Sequence, residues 1–197
     1  IVQLCSIECS WAVPFDHPDN AAFAADMVAW NALSQRLFIW DYVVDFRAYA
    51  MPWPNYETLV PNARFLASHG EESRTRRSMS IITSPFAGAT GVFEEADYTS
   101  SGGDLAELKT YLLGRALWNP LAYTDDDAAR DEREFLTAFY GAGAAPHIKQ
   151  YMEIFVATAN ATRTYLGESA PVDADYLTPA ALLDGADELE VARIAAA

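Results

Sequence analysis

Apolar positions in the first half of the chain fall into two alternating rhythms. Leu37-Phe38-Ile39-Trp40-Asp41-Tyr42-Val43-Val44 is an apolar run of strand length with one carboxylate near its C-terminal end. Residues 1–11 and 91–98 read the same way, with Glu8 and the pair Glu94-Glu95 near their ends. Between these runs the spacing turns helical. Phe23, Met27, Trp30 and Leu33 recur on one face behind Asp19 and Asn20, either of which can cap the helix. Leu59, Val60, Ala63 and Leu66 form a second stripe, opened by Asn55 and ended by Gly70. A third helix, capped by Asp104, carries Leu105, Leu108, Tyr111 and Leu112 and stops at Asn119-Pro120. Strand, loop and helix thus repeat three times. That pattern predicts an α/β fold with parallel strands.

Beyond residue 120 only the helical period persists. Thr124 or Asp125 starts a helix with Phe135, Leu136 and Phe139 that ends at Gly141. A second helix spans about 144–166 with Ile148, Tyr151, Met152 and Phe155, and Thr178-Pro179 opens a last one. These helices are expected to pack against the outside of the β/α region. One stretch breaks the rhythm: residues 71–90, with Arg74, Arg76 and Arg77, stand where a short helix-to-strand connection belongs. They read as an insertion, an exposed or disordered loop.

The acids add chemistry to this pattern. Glu8, Asp41 and Glu94 or Glu95 lie at the C-terminal ends of successive strands, beside loops that hold Trp11, Trp40, Tyr42, Tyr49, Trp53 and Tyr98. Carboxylates and aromatic rings at that end of parallel strands suit a sugar-cleaving barrel. The expected fold is therefore the C-terminal part of an eight-unit (β/α) TIM barrel, its last three units, followed by a helical tail. Residues 1–120 would form the partial barrel and 121–197 the helical extension.

Composition narrows the partners. The net charge of −15 argues against nucleic acid and anionic membrane surfaces, which need clustered Lys and Arg. No apolar run is long enough to cross a bilayer. Cys5 and Cys9 share a strand face at roughly 13 Å, too far for a disulfide, and both read as buried free thiols. His17, His69 and His147 sit in unrelated contexts, so neither a metal centre nor a cofactor is expected. No phosphate-binding loop or Gly-x-Ser-x-Gly elbow occurs. The chain opens inside a strand without Met or a leader, so it is expected to be the latter part of a longer protein, with localisation open.

Five pieces stand in an order that resembles domain-of-unknown-function family 4838. They are Ile39-Trp40-Asp41-Tyr42, Pro52-Trp53-Pro54-Asn55, Gly91-Val92-Phe93-Glu94, Tyr111-Leu112-Leu113 with Leu117-Trp118-Asn119-Pro120, and Glu134-Phe135-Leu136 with Tyr140-Gly141. The resemblance runs from Cys5 to about Tyr151 with residues 71–90 set aside, and covers only the C-terminal portion of the family domain. It implies a glycoside-hydrolase-like TIM barrel that cleaves carbohydrate, uronic or amino sugars among them, by carboxylate acid/base chemistry. It also favours Glu94 over Glu95 as the acid lining the mouth. In many such barrels the proton donor lies on the fourth strand, which this chain lacks. Glu8, Asp41 and Glu94 would then act as base, water-positioning or hydroxyl-binding groups, and Trp11, Trp40, Tyr42, Trp53 and Tyr98 as sugar contacts. The rivals are a carbohydrate-binding barrel without catalysis and an inactive fragment.

Overall fold

The computed structural model describes residues 1–34, 36–68, 88–100 and 102–196. Most of the expected insertion, and with it Gly70 and His69, lies outside the described residues. Three strands, β1 (Val2–Cys5), β2 (Leu37–Tyr42) and β3 (Gly91–Glu95), form one parallel sheet in the order β1-β2-β3. A single 3-10 turn (Pro18–Asn20) and α1 (Ala21–Leu33) connect β1 to β2; α2 (Leu59–Ser68) follows β2, and α3 (Ala106–Trp118) follows β3. The chain then continues through α4 (Asp125–Tyr140), α5 (Ala145–Thr162) and α6 (Pro179–Ala195). The α/β reading holds at this level, and strand order follows chain order as repeated crossovers require.

The strands are shorter than their apolar runs. β1 ends at Cys5 because Cys9 N–H donates to the Ser6 carbonyl at 2.8 Å, folding residues 6–9 into a turn. Glu8 therefore sits in an exposed turn and not on a strand. β3 stops once β2 no longer runs beside it; the last cross-strand bond is Val43 N–H to the Glu95 carbonyl at 3.1 Å.

The register pairs Leu4 with Ile39, Ile39 with Val92, and Asp41 with Glu94. Alternation then sorts the side chains onto two faces. Leu37 and Ile39 are fully buried, and Val2, Leu4 and Val92 pack against the same core as Met27, Phe65 and Leu66 from the helices. The opposite face is open: Gln3 and Cys5 are exposed, Phe38 and Trp40 half-buried, and Phe93 is 52% exposed. Cys5 is thus not the buried thiol expected, whereas Cys9 is buried.

The helix starts obey their capping residues unevenly. Thr124 forms a full capping box with Asp127, and the Thr178 hydroxyl accepts from Ala181 N–H. Asn20 and Asp104 do not cap. The Asn20 amide instead ties the loop after β1, donating to the carbonyls of Ser10 and Pro14 at 3.0 and 3.1 Å. Asp104 is drawn into a buried polar cluster, and Leu105 enters α3 in the left-handed region at φ 48°.

Residues 163–177 link α5 to α6. They cross the loops that follow β1 and β2. Trp11 N–H donates to the Leu166 carbonyl (2.9 Å), Phe46 N–H to the Glu168 carbonyl (3.1 Å), and Tyr176 Oη to the Pro52 carbonyl (2.6 Å). Leu166 and Tyr176 are fully buried in one core with Trp11, Trp53 and Phe155, so the core passes through residue 120 without interruption.

Candidate functional site

Asp41 and Glu94 are neighbours in register at the C-terminal ends of β2 and β3. Their parity places both on the helix-covered face. Asp41 is buried, and its Oδ1 accepts from Ser6 Oγ and, at 3.2 Å, from Trp11 Nε1. The two carboxyl groups also hydrogen-bond each other, which requires a proton between them. Burial, and then the adjacent Asp41 charge, hold the Glu94 carboxyl well above the ordinary glutamate value. Burial raises Asp41 as well, against the opposing pull of its Ser6 and Trp11 donors. Those donors favour charge on Asp41, so Glu94 keeps the proton and donates it to Asp41. Glu94 Oε2 is buried, and no protein donor reaches it among the described residues.

Glu95, by alternation, stands on the open face. Its Oε2 accepts from Trp40 Nε1 at 2.6 Å, and Trp40 meets Phe93 edge-to-face at 5.0 Å. Glu94 facing the helices and Glu95 facing the open side reverse the expected assignment. The reason is the register: Asp41 shares parity with the buried Leu37 and Ile39, so its partner Glu94 must share it too. Glu8 lies in the exposed turn after β1. Among the described residues it makes no hydrogen bond to Asp41 or Glu94, although its own carbonyl accepts from Tyr165 Oη at 2.9 Å. Of the three acids expected to converge, Asp41 and Glu94 are buried register neighbours, and Glu8 is exposed in the turn after β1.

The five aromatic candidates divide. Trp11 and Trp53 are 1% and 0% exposed, which leaves them no face for a sugar; they are core residues. Tyr42 is buried against Trp11 (5.4 Å between centroids) and Phe46 (5.7 Å). Trp40 remains half-open beside Glu95, and Tyr98 is 74% exposed. Tyr98 packs with Tyr49 (6.5 Å) and Phe46 (6.4 Å), forming an aromatic rim over the strand ends.

Two further features escaped the sequence pattern. Asp45 is buried, accepting from Arg47 N–H at 2.7 Å and Ala170 N–H at 3.2 Å, so it pins the tail to the loop after β2. Asp104 gathers Trp53 N–H (3.0 Å), Tyr56 Oη (2.5 Å), Lys109 Nζ (3.3 Å) and Tyr151 Oη (3.0 Å). Lys109 Nζ also donates to the Trp53 carbonyl at 3.1 Å. Burial pushes the Lys109 ammonium below its ordinary value, and Asp104 opposes that shift. The five-residue step from Asp104 to Lys109 is the only sequence signal of this cluster. It is weak, because Tyr56 and Tyr151 arrive from distant segments.

Cys9 is not an activated nucleophile. Burial, with Asp41 and Glu8 nearby, pushes the Cys9 thiol up to about 12. No group of three or more His, Cys, Asp and Glu that could hold a metal occurs among the described residues. Nor is any helix there long and apolar enough to cross a membrane.

Parallel strands with crossover helices, and acids gathered at the strand ends, define an α/β protein whose candidate site lies at the carboxyl end of its sheet. The family is settled by comparison: residues 1–153 match the family model described as Domain of unknown function (DUF4838), and the chain belongs to that family. No curated protein and no solved structure matches the chain.

Proposed function

We propose that the chain is the C-terminal part of a TIM barrel that acts on carbohydrate by carboxylate chemistry, in the manner of a glycoside hydrolase. The observation that carries this reading is Glu95, presented on the open sheet face at a strand end, held by Trp40 and flanked by Phe93. An acid braced by an indole and bordered by exposed rings is suited to a sugar, whose C–H faces stack on aromatics while its hydroxyls seek acceptors. Parallel strands in chain order with alternating helices support the barrel reading.

Asp41 and Glu94 take a supporting role in this proposal. A retaining pair flanks the sugar at about 5 Å, and an inverting pair is wider, whereas these two share a hydrogen bond. Glu95 and the exposed Glu8 are the carboxylates open to substrate. One observation favours the second reading, a carbohydrate-binding barrel without catalysis. Glu95 is the only acid on the open face among the described strand residues, and hydrolysis ordinarily uses two.

Turnover of 4-nitrophenyl glycosides and uronides, measured with saccharide binding by titration calorimetry, tests both readings. A hydrolase loses turnover in Glu95→Gln. A binding barrel shows saccharide affinity without turnover, weakened in the same variant. Neither turnover nor binding, or effects absent in Glu95→Gln, overturns the proposal.

A further inference from the structure

The far end of α3 carries a groove that the strand-end site does not use. It lies where α3 closes and α4 opens, has a volume of about 500 Å³, and is walled by Arg115, Trp118, Asn119, Tyr123, Asp127 and Arg130. That volume is within the usual range for small-molecule sites. Trp118 ends a helix of 13 residues that follows β3, so the groove stands about 20 Å from the start of that helix. Its indole is 91% exposed, the most open large apolar side chain among the described residues. We propose that this groove binds a neutral saccharide of pyranose rings with equatorial hydroxyls, stacked on Trp118.

The charges at the wall offset one another. Arg115 Nε donates to Asp131 Oδ2 at 2.7 Å, Arg130 Nη2 to Asp131 Oδ1 at 3.1 Å, and Arg130 Nη1 to Asp127 Oδ1 at 2.7 Å. Asp127 Oδ2 accepts from the Thr124 hydroxyl and N–H, and Asp131 Oδ2 also accepts from Tyr123 Oη. Two guanidinium groups thus face two carboxylates. An anion gains no net attraction there, and a cation finds both carboxylates already paired. What remains unspent is dipolar. The Arg115 Nη groups and the exposed Asn119 amide meet no protein hydrogen-bond partner among the described residues. They offer several donors and one neutral acceptor, which sugar hydroxyls match because each can donate and accept. The indole then selects the ring. Equatorial hydroxyls leave both faces of a pyranose to C–H groups, and such a face stacks on an aromatic plane. An open-chain polyol has the hydroxyls and lacks the face.

The probe is cellotetraose, with sorbitol and benzoate as comparators, each titrated into the full chain at pH 7 and followed by saturation-transfer NMR. Sorbitol carries hydroxyls without a flat ring, and benzoate carries a flat ring with charge. The expected result is saturable binding of cellotetraose and none of either comparator at the same concentration. Trp118→Ala should weaken cellotetraose about tenfold or more, the combined worth of stacking and covered ring area. Asn119→Ala should weaken it about fivefold, the worth of one neutral hydrogen bond. Circular dichroism and melting check that both variants are folded; if Trp118→Ala is not, Asn119→Ala decides alone. Absence of saturable cellotetraose binding overturns the proposal. So does sorbitol or benzoate binding as tight as cellotetraose, or affinity untouched by Trp118→Ala. Affinity lost in Glu95→Gln yet kept in Trp118→Ala places the sugar at the strand ends, which overturns this inference while the carbohydrate reading stands.

Discussion

Asp41 and Glu94 are the residues on which pH should act most directly. Glu94 is held protonated in the folded chain, its value raised from the ordinary 4.5 by burial and by Asp41. In the unfolded chain it ionises near 4.5. The folded state therefore binds the extra proton above that pH, and stability falls as pH rises from 4.5 through the raised folded-state value. Glu94→Gln keeps a donor to Asp41 without the titration. Its melting temperature should fall less than the native chain's between pH 5 and 9, and an unchanged slope would contradict the shared proton. Lys109 makes the second residue-level prediction. Lys109→Met leaves the Asp104 carboxylate, 3% exposed, without its cation, and should cost about 3–5 kcal/mol in chemical unfolding. Lys109→Met with Asp104→Asn should recover part of that loss, since no buried charge is then stranded.

Among the elements, local rules decided some helix ends and tertiary demand took others. The Thr124 box and the Thr178 cap sit at exposed helix starts where nothing else competes for the hydroxyl. Thr124→Ala should lower stability by about 1 kcal/mol, read from the denaturation midpoint. Asn20 and Asp104 look equally good as caps in the sequence, yet both are buried and spend their polar groups on distant segments. Helix pairing shows the same priority. Gly185 lets α6 approach α5 so closely that an added Cβ would lie 2.8 Å from the Phe155 ring and 3.5 Å from Tyr151. Gly185→Val should destabilise the chain and raise protease cleavage in α6, because the helix must back away from that ring.

In the molecule as a whole, residues 163–177 decide how the strand-end loops are held. Leu166, fully buried, sits where Trp11 and Ser10 bond its backbone. Leu166→Ala should cost about 2–5 kcal/mol and free the loops after β1 and β2, seen as faster amide exchange at Trp11 and Phe46. The opposite side of the sheet has no such cover among the described residues: Phe93 is largely exposed, and β1 and β3 each pair on one edge only. Such a face and such edges favour association. Concentration-dependent self-association, measured by sedimentation and accompanied by hydrophobic-dye binding, is the expected behaviour of the isolated chain.

The sequence by itself determined the element order, the parallel α/β class and the neighbourhood of the acids. Periodicity and strand-end position are local properties, and β2, α2, α4 and α6 were legible for that reason. Tertiary structure decided which way each acid faces, because the period of two makes Glu94 and Glu95 opposites and only the Asp41 register chooses between them. It also decided that Trp11 and Trp53 are core, since an aromatic near a strand end reads the same whether a later segment covers it or not. The Asp104 cluster left only a weak signal for the same reason: Tyr56, Lys109 and Tyr151 meet only after three separate segments have packed. Contacts across such separations leave no period in the chain, so only the folded geometry records them.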